Sequence, residues 1–312
     1  MSFDRVMITG GSGFLGCFVV DEMIDRSDVT VLDIKPPTRK VAYLEADILD
    51  LEAVTTVVAE QDAVIHLAGI DDGNDFPDED YFRTNVQGTW NILHAAEVAG
   101  VRKMVVASST AVYGIGGDRM PDYLPVDEQH PQRPTATYSL TKQIIEVQCR
   151  SFVERGTLAI VCLRPTLIVR PGREAAILAQ LDLDDPDSDP SDELRAAEGE
   201  TPYGALSVLR SYVRSEDVAR CFRLALDHDE QPFDVFNVAA ADGIGREELL
   251  PRLERVYGRL PEIRDPARFE SDPYASMLDC SRARERLGWE PRGDWNSIAG
   301  EHRSTNQKEN RR

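Results

Sequence analysis

Short apolar runs alternate with longer stretches of mixed polarity through the first half of this chain. The runs "RVMITG" (5–10), "DVTVLDI" (28–34), "VAYLEADI" (41–48), "DAVIHLAG" (62–69), "RKMVVASS" (102–109) and "TLAIVCLRP" (157–165) have the length of single strands. Between them lie "GFLGCFVVDEMID" (13–25), "LEAVTTVVAE" (51–60), "YFRTNVQGTWNILHAAEVAG" (81–100) and "YSLTKQIIEVQCRSFVERG" (138–156). These read as helices, and the last two stop at a glycine, which accepts the left-handed conformation that ends a helix. Strands alternating with helices predict an α/β protein built on a doubly wound parallel sheet.

After Pro165 the pattern weakens. Residues 181–200, "LDLDDPDSDPSDELRAAEGE", are acidic, poor in large apolar side chains, and read as a mobile surface loop with room for one short helix. Regularity returns with "SYVRSEDVARCFRLAL" (211–226), a strand entering a helix, then the strand "DVFNVAA" (234–240) and the helix "GREELLPRLERVYG" (245–258). The expected organisation is a nucleotide-binding core over 1–165, with 210–240 returning to the sheet. A smaller C-terminal substrate-binding lobe takes 166–209 and 241–298, and 299–312 reads as a disordered tail.

The stretch "ITGGSGFLG" (8–16) puts Gly10, Gly13 and Gly16 directly after the first strand and at a helix start. Glycine permits the tight turn and lets the backbone approach a pyrophosphate, and the helix N-terminus offers N–H groups and a positive dipole end. This strand–turn–helix context is what turns a common glycine spacing into a dinucleotide site, although a tight turn without a ligand has the same letters. No Gly-Lys-Ser/Thr follows, which excludes a P-loop. Asp33, at the end of the second strand, stands where a carboxylate accepts hydrogen bonds from ribose hydroxyls and repels a 2′-phosphate. NAD is therefore favoured over NADP, with Lys35, Arg39 and Lys40 keeping NADP open and a turn-capping Asp33 as the plainer reading.

Composition narrows the classes. The 312 residues carry a formal net charge of −20, which repels nucleic acid and argues against such a partner. The acidity fits a saline habitat or simple solubility. No run reaches the about 18 apolar residues of a membrane span, and the N-terminus begins with a strand-like run rather than a secretory leader. The five cysteines, Cys17, Cys149, Cys162, Cys221 and Cys280, are scattered and odd in number, as expected for free thiols in a cytoplasmic protein. No His/Cys spacing points to a metal.

The motifs, taken in order, resemble the extended short-chain dehydrogenases/reductases, the NAD-dependent epimerase/dehydratase family. "TGGSGFLG" is similar to its T-G-x-x-G-x-x-G, "ADI" (46–48) to its adenine segment and "HLAG" (66–69) to its fourth-strand segment. "NVQGTWNIL" (85–93), "SSTAVYG" (108–114), "YSLTK" (138–142), "LRP" (163–165), "RSYVRSEDVA" (210–219), "FNVAA" (236–240) and "DCSRARERLGWEP" (279–291) follow in the family's order. The resemblance spans roughly residues 5 to 292. It implies a Rossmann sheet and a cofactor site drawn from Gly10, Gly13, Phe14, Leu15, Gly16, Asp33, Asp47, Ile48, Leu67, Ala68, Gly69, Asn85, Tyr138, Lys142 and Pro165. It also implies a homodimer joined by the helices at 81–100 and 138–156, whose apolar residues equally fit packing on their own sheet.

By the same resemblance Tyr138 is the acid–base group, Lys142 its helper and Ser109 the group that holds the reacting oxygen. The chemistry agrees: moving a hydride to or from a carbinol requires moving the hydroxyl proton, and a free phenol, with a pKa of about 10, is a poor base at neutral pH. A lysine one turn along the helix, together with the positive nicotinamide ring, is expected to lower that value. Thr110 is a second hydroxyl at the site, and Leu167 and Arg210 fall at substrate-contacting positions, Arg210 equally fitting an ion pair with one of the many carboxylates. Thr110 and Ala111 replace the acidic pair of the family's dehydratases, and Leu167 replaces an asparagine that binds nucleotide sugars. The expected function is thus an NAD(P)-dependent oxidoreductase acting on a secondary alcohol or ketone of a sugar-like or polyol substrate. A nucleotide-sugar 4-epimerase is the alternative, and a non-enzymatic NAD-sensing regulator a third reading.

Overall fold

The computed structural model describes residues 3–72, 76–116, 119–156, 158–170, 210–245 and 247–295. Along the chain run β1 (Arg5–Thr9), α1 (Phe14–Met23), β2 (Asp28–Asp33), β3 (Ala42–Glu45), α2 (Leu51–Val58), β4 (Ala63–His66) and α3 (Asp78–Tyr81). Next come α4 (Gly88–Ala99), β5 (Lys103–Ala107), β6 (Tyr123–Leu124), α5 (Thr137–Glu154), β7 (Ala159–Pro165), β8 (Leu167–Val169) and β9 (Tyr212–Arg214). The described chain closes with α6 (Ser215–Asp227), β10 (Phe233–Val238), α7 (Leu249–Tyr257), β11 (Glu262–Ile263), α8 (Pro266–Ser271) and α9 (Ser281–Leu287).

Seven strands form one sheet in the order β3-β2-β1-β4-β5-β7-β10, every pair parallel. The sheet is buried on both sides, which explains why its strands read as continuous apolar runs rather than alternating ones. On one side Val6, Ile8, Val31 and Ile65 pack with Val19 and Val20 of α1, Phe222 of α6 and Trp289. On the other, Met7, Val64, Met104 and Val106 pack with Val54 of α2, Ile92 of α4 and Ile145 of α5. The chain reverses direction across the sheet between β1 and its neighbours β2 and β4. The carboxyl ends of those strands open the crevice where such sheets take their ligands.

A third core gathers Val112, Tyr113, Leu124, Val126, Leu249, Leu253, Phe269 and Met277 beside β10. It draws on residues 112–126 as well as on the later part of the chain, and β6 pairs with β11 there. Within 210–240 only β10 joins the large sheet, because β9 pairs with β8. The segment 181–200 and the tail from 299 lie outside the described residues.

The single helix expected over 81–100 is interrupted. Phe82–Gln87 form a π-helical turn between α3 and α4. The extra residue of that turn faces Asn85 inward, where it is buried. Gly88 follows, and a Cβ there would come within 2.4 Å of the Ile48 side chain.

Candidate active site

The turn after β1 is shaped by its glycines. Gly10 has φ +70, and a Cβ on it would lie 2.7 Å from the Ala68 nitrogen. A Cβ on Gly16 would lie 2.1 Å from the Gly10 carbonyl oxygen. Gly13 is the N-cap of α1, and no side chain caps that helix, so its first turn, at Phe14 and Leu15, keeps its N–H end for an outside acceptor. Thr9 ties the turn to β4: its Oγ1 accepts from the N–H groups of Leu67 and Ala68, both at 3.2 Å, and lies 2.7 Å from His66 Nδ1. His66 Nε2 lies 2.9 Å from Thr89 Oγ1. Burial pushes this imidazole down to about 3, so it is a neutral strut.

Asp33 sits against the same turn. One carboxylate oxygen accepts from the Ser12 N–H at 3.0 Å and the other from the Lys35 N–H at 3.1 Å. Each oxygen retains a lone pair for a diol, while Arg39 is held away by a bidentate pair with Asp21 at 2.5 and 2.6 Å. An uncapped helix start, a cradle that side chains would fill and a carboxylate beside it fit the pyrophosphate and ribose of NAD.

The other cofactor positions fall into two kinds. Gly69 and Asp47 are exposed, Asp47 also capping its own turn through the Leu49 N–H at 2.9 Å. Ile48 and Asn85 are buried and act on neighbouring chain. Ile48 packs on Gly88, and its carbonyl accepts from Asn91 at 2.8 Å. Asn85 holds both backbone groups of Ile70. Pro165 ends β7, and its carbonyl lies 3.5 Å from Thr110 Oγ1, which turns Thr110 inward.

Ser109, Tyr138 and Lys142 come together at the carboxyl end of β5. Ser109 caps a short 3₁₀ turn, Thr110–Tyr113, its Oγ accepting from the Ala111 N–H at 3.1 Å. The same side chain is near enough to Tyr138 to act on its phenol. Lys142 is buried, lies 5.6 Å from the Tyr138 ring centre, and donates to the Ala107 carbonyl at 3.0 Å. Tyr81 packs edge-on to Tyr138 at 6.3 Å.

The electrostatics differ from the expectation. Burial pushes the Tyr138 phenol up, and Asp72 and Asp71 add to the rise, while the nearby Ser109 hydroxyl works against it. Burial pushes Lys142 down to about 8. Of the two positive charges expected to favour the phenolate, the chain itself supplies only Lys142, and that ammonium is directed to a backbone carbonyl. The resting tyrosine is therefore the acid form.

Leu167 opens β8, half-buried. Arg210 is buried with φ 36, an uncommon backbone for a non-glycine residue, and its Nη2 lies 3.5 Å from Glu247 Oε2. Arg252 and Arg255 share that carboxylate at 3.7 and 2.7 Å. Burial, and next to it the charge of Arg210, pushes Arg252 down to about 9. Among the described residues no cluster of His, Cys, Asp or Glu could hold a metal. Sequence reasoning passed over Asp71, Asp72, Tyr81, Thr9 and Glu146. Only Glu146, four residues past Lys142, left a signal in spacing.

The NAD dependent epimerase/dehydratase family model matches residues 6–239. A UDP-glucose 4-epimerase of Streptococcus mutans is 27% identical over 322 residues, covering 93% of this chain and 92% of its own. A short-chain dehydrogenase/reductase superfamily protein from Agrobacterium tumefaciens, solved with bound NAD, is 26% identical with TM-score 0.71, covering 99% and 100% of the two chains. The Brucella ovis UDP-glucose 4-epimerase in complex with NAD shares the fold at TM-score 0.69 and 23% identity, over 95% and 96%.

Proposed function

We propose that this chain, which belongs to the NAD-dependent epimerase/dehydratase family, moves a hydride between NAD and a secondary-alcohol carbon of a sugar-like substrate, with Tyr138 carrying the hydroxyl proton. The observation that carries this reading is the meeting of Ser109, Tyr138 and Lys142 at the strand ends beside the glycine turn. NAD, when bound, supplies the hydride acceptor and a positive ring. Gly10, Gly13, Phe14, Leu15, Gly16 and Asp33 would hold its pyrophosphate and ribose, and Leu67, Ala68 and Gly69 would line its path.

Ser109 orients the substrate oxygen through its hydroxyl. Tyr138, protonated at rest, donates to a ketone oxygen, or, once deprotonated, accepts from a carbinol. Lys142 keeps a positive charge beside the ring below about pH 8.

Nucleotide-sugar 4-epimerisation is the second reading. One observation favours it: chain-length similarity to UDP-glucose 4-epimerases. Leu167 at the position of a sugar-binding asparagine weighs against it. Incubation with NAD and either free sugars and polyols or UDP-glucose and UDP-galactose separates the two. Accumulating NADH marks net oxidation, and interconversion of the UDP-hexoses without NADH marks epimerisation. Failure of every such substrate to turn over rejects both.

We further infer a homodimer built on α4 and α5, which lie side by side and expose Trp90, Val98, Leu140 and Val147. The free thiols fit a cytoplasmic enzyme. No described helix is long and apolar enough to cross a membrane.

A further inference from the structure

Three side chains, one turn apart on α5, meet three consecutive residues at the end of β5. Tyr138 comes near Ser109, Lys142 donates to the Ala107 carbonyl at 3.0 Å, and Glu146 accepts from Ser108 Oγ at 2.6 Å. A spacing of four residues returns a helix nearly to the same face, so all three look at the strand end together. The proposed chemistry uses the first two and leaves Glu146 without a task.

Glu146 is nonetheless the most constrained of the three. The oxygen that takes Ser108 also accepts from Arg164 Nε at 2.7 Å. Its other oxygen accepts from Arg164 Nη2 at 2.6 Å and from Gln132 Nε2 at 2.8 Å. Four donors occupy one carboxylate that is 6% exposed, facing a guanidinium residue that is 2% exposed. Arg164 belongs to β7, the strand next to β5. Its Nη1 donates to the Tyr113 hydroxyl at 2.8 Å, and Tyr113 closes the turn that Ser109 begins. The pair therefore grips both ends of the 109–113 turn as well as α5.

A buried ion pair is poor value as a stabiliser, since apolar side chains of similar volume commonly do as well. What it provides is a fixed geometry: a saturated, bidentate carboxylate has one arrangement, and slipping or rotating α5 would break all its bonds together. We propose that Glu146 is a positioning residue, its carboxylate clamped between Ser108 and Arg164 so that α5 is fixed against the end of β5 and Tyr138 is placed beside Ser109. This rests on the reading of Tyr138 as the proton-transfer group.

The test uses NAD-loaded protein labelled with 3-fluorotyrosine, the Tyr138 fluorine resonance being assigned with Tyr138→Phe. Ser108→Ala removes one bond and leaves the Glu146–Arg164 pair, and Glu146→Gln weakens the whole clamp. Both should shift or broaden the Tyr138 resonance, and kcat should fall about tenfold or more while KM stays within about twofold. An unmoved resonance, or wild-type kcat, in folded Ser108→Ala protein overturns the proposal, and this variant decides alone if Glu146→Gln does not fold. A moved resonance in a protein whose wild type converts no sugar upholds the clamp and removes the functional reading instead.

Discussion

The side chain of Asn85 mimics a strand partner for Ile70: its Oδ1 accepts from the Ile70 N–H at 2.7 Å, and its Nδ2 donates to the Ile70 carbonyl at 2.9 Å. The same Nδ2 reaches Thr141 Oγ1 at 3.2 Å, beside Lys142. Asn85 is 1% exposed, so it holds the loop after β4 rather than meeting solvent. Asn85→Ala would strand two backbone groups, at about 1–3 kcal/mol each if they stay buried. The expected result is NAD affinity weaker by about tenfold or more in a calorimetric titration. Unchanged affinity would free the loop after β4 from any part in cofactor binding.

Tyr138→Phe should lower turnover by about 10²- to 10⁴-fold with NAD affinity within about twofold. The pH dependence carries further information. Asp71 and Asp72 raise the phenol, so neutralising them in an Asp71→Asn/Asp72→Asn protein lowers its pKa. Carbinol oxidation needs the deprotonated tyrosine, and its rate should climb with pH in both proteins, with the rise starting at lower pH in the variant. A rise displaced to higher pH would contradict the charge assignment.

Cofactor choice depends on two carboxylates, not one. Asp33→Ser removes the acceptor for the ribose hydroxyls, yet Arg39 remains locked to Asp21. Asp33→Ser alone should weaken NAD binding and gain little for NADP. Adding Asp21→Asn frees Arg39 for a 2′-phosphate and should raise the NADP/NAD affinity ratio by about tenfold over the single variant. Equal ratios for the single and double variants would rule out Arg39.

The exposed apolar stripe on α4 and α5 predicts self-association. Val147 and Val98 are each 64% exposed, and Trp90, 38% exposed, stacks on His94 at 4.9 Å. Val147→Glu should move the protein from dimer to monomer mass in light scattering without changing its circular dichroism. A monomeric wild type would refute the dimer.

Much of this was legible in the letters. The runs at 5–10, 62–69 and 102–109 became β1, β4 and β5, because strands buried on both faces have no polar alternation to hide them. The glycine turn and the Tyr138–Lys142 spacing were readable because both are local. The π-helical turn at Phe82–Gln87 was not, since the hydrophobic spacing of 81–100 fits one helix and the interruption depends on where Asn85 finds Ile70. Nor was the pKa of Tyr138, which is set by burial and by Asp71 and Asp72, far away in sequence. The clamp at Glu146 needs Ser108, just past β5, and Arg164 of β7 brought to α5, and only topology does that.

A lysine far from the candidate site offers a test of the electrostatics through stability alone. Lys103 is 3% exposed at the start of β5, and its Nζ donates to the His228 carbonyl at 2.5 Å. Burial pushes it down to about 8, with Asp229 and Asp234 pulling the other way. Asp234 is already shared by Arg282 and Arg286, at 2.5 Å each, which limits what it gives the lysine. In the unfolded chain a lysine holds its proton to about pH 10.4. Between about 8 and 10, therefore, the unfolded chain binds a proton the folded chain has shed, and stability from this group rises with pH. Below pH 8 the folded protein bears the whole penalty, up to about 3 kcal/mol at about 1.4 per pKa unit. Lys103→Met removes the charge at every pH and forfeits one hydrogen bond, worth about 1 kcal/mol. The variant should be more stable than wild type at pH 7, by about 1–2 kcal/mol in urea unfolding. The gap should close as pH approaches 10, because the other shifted groups, Lys142, Arg252 and the buried tyrosines, are common to both proteins. Parallel stability curves from pH 7 to 10 would mean that Lys103 is as well solvated as in the unfolded chain.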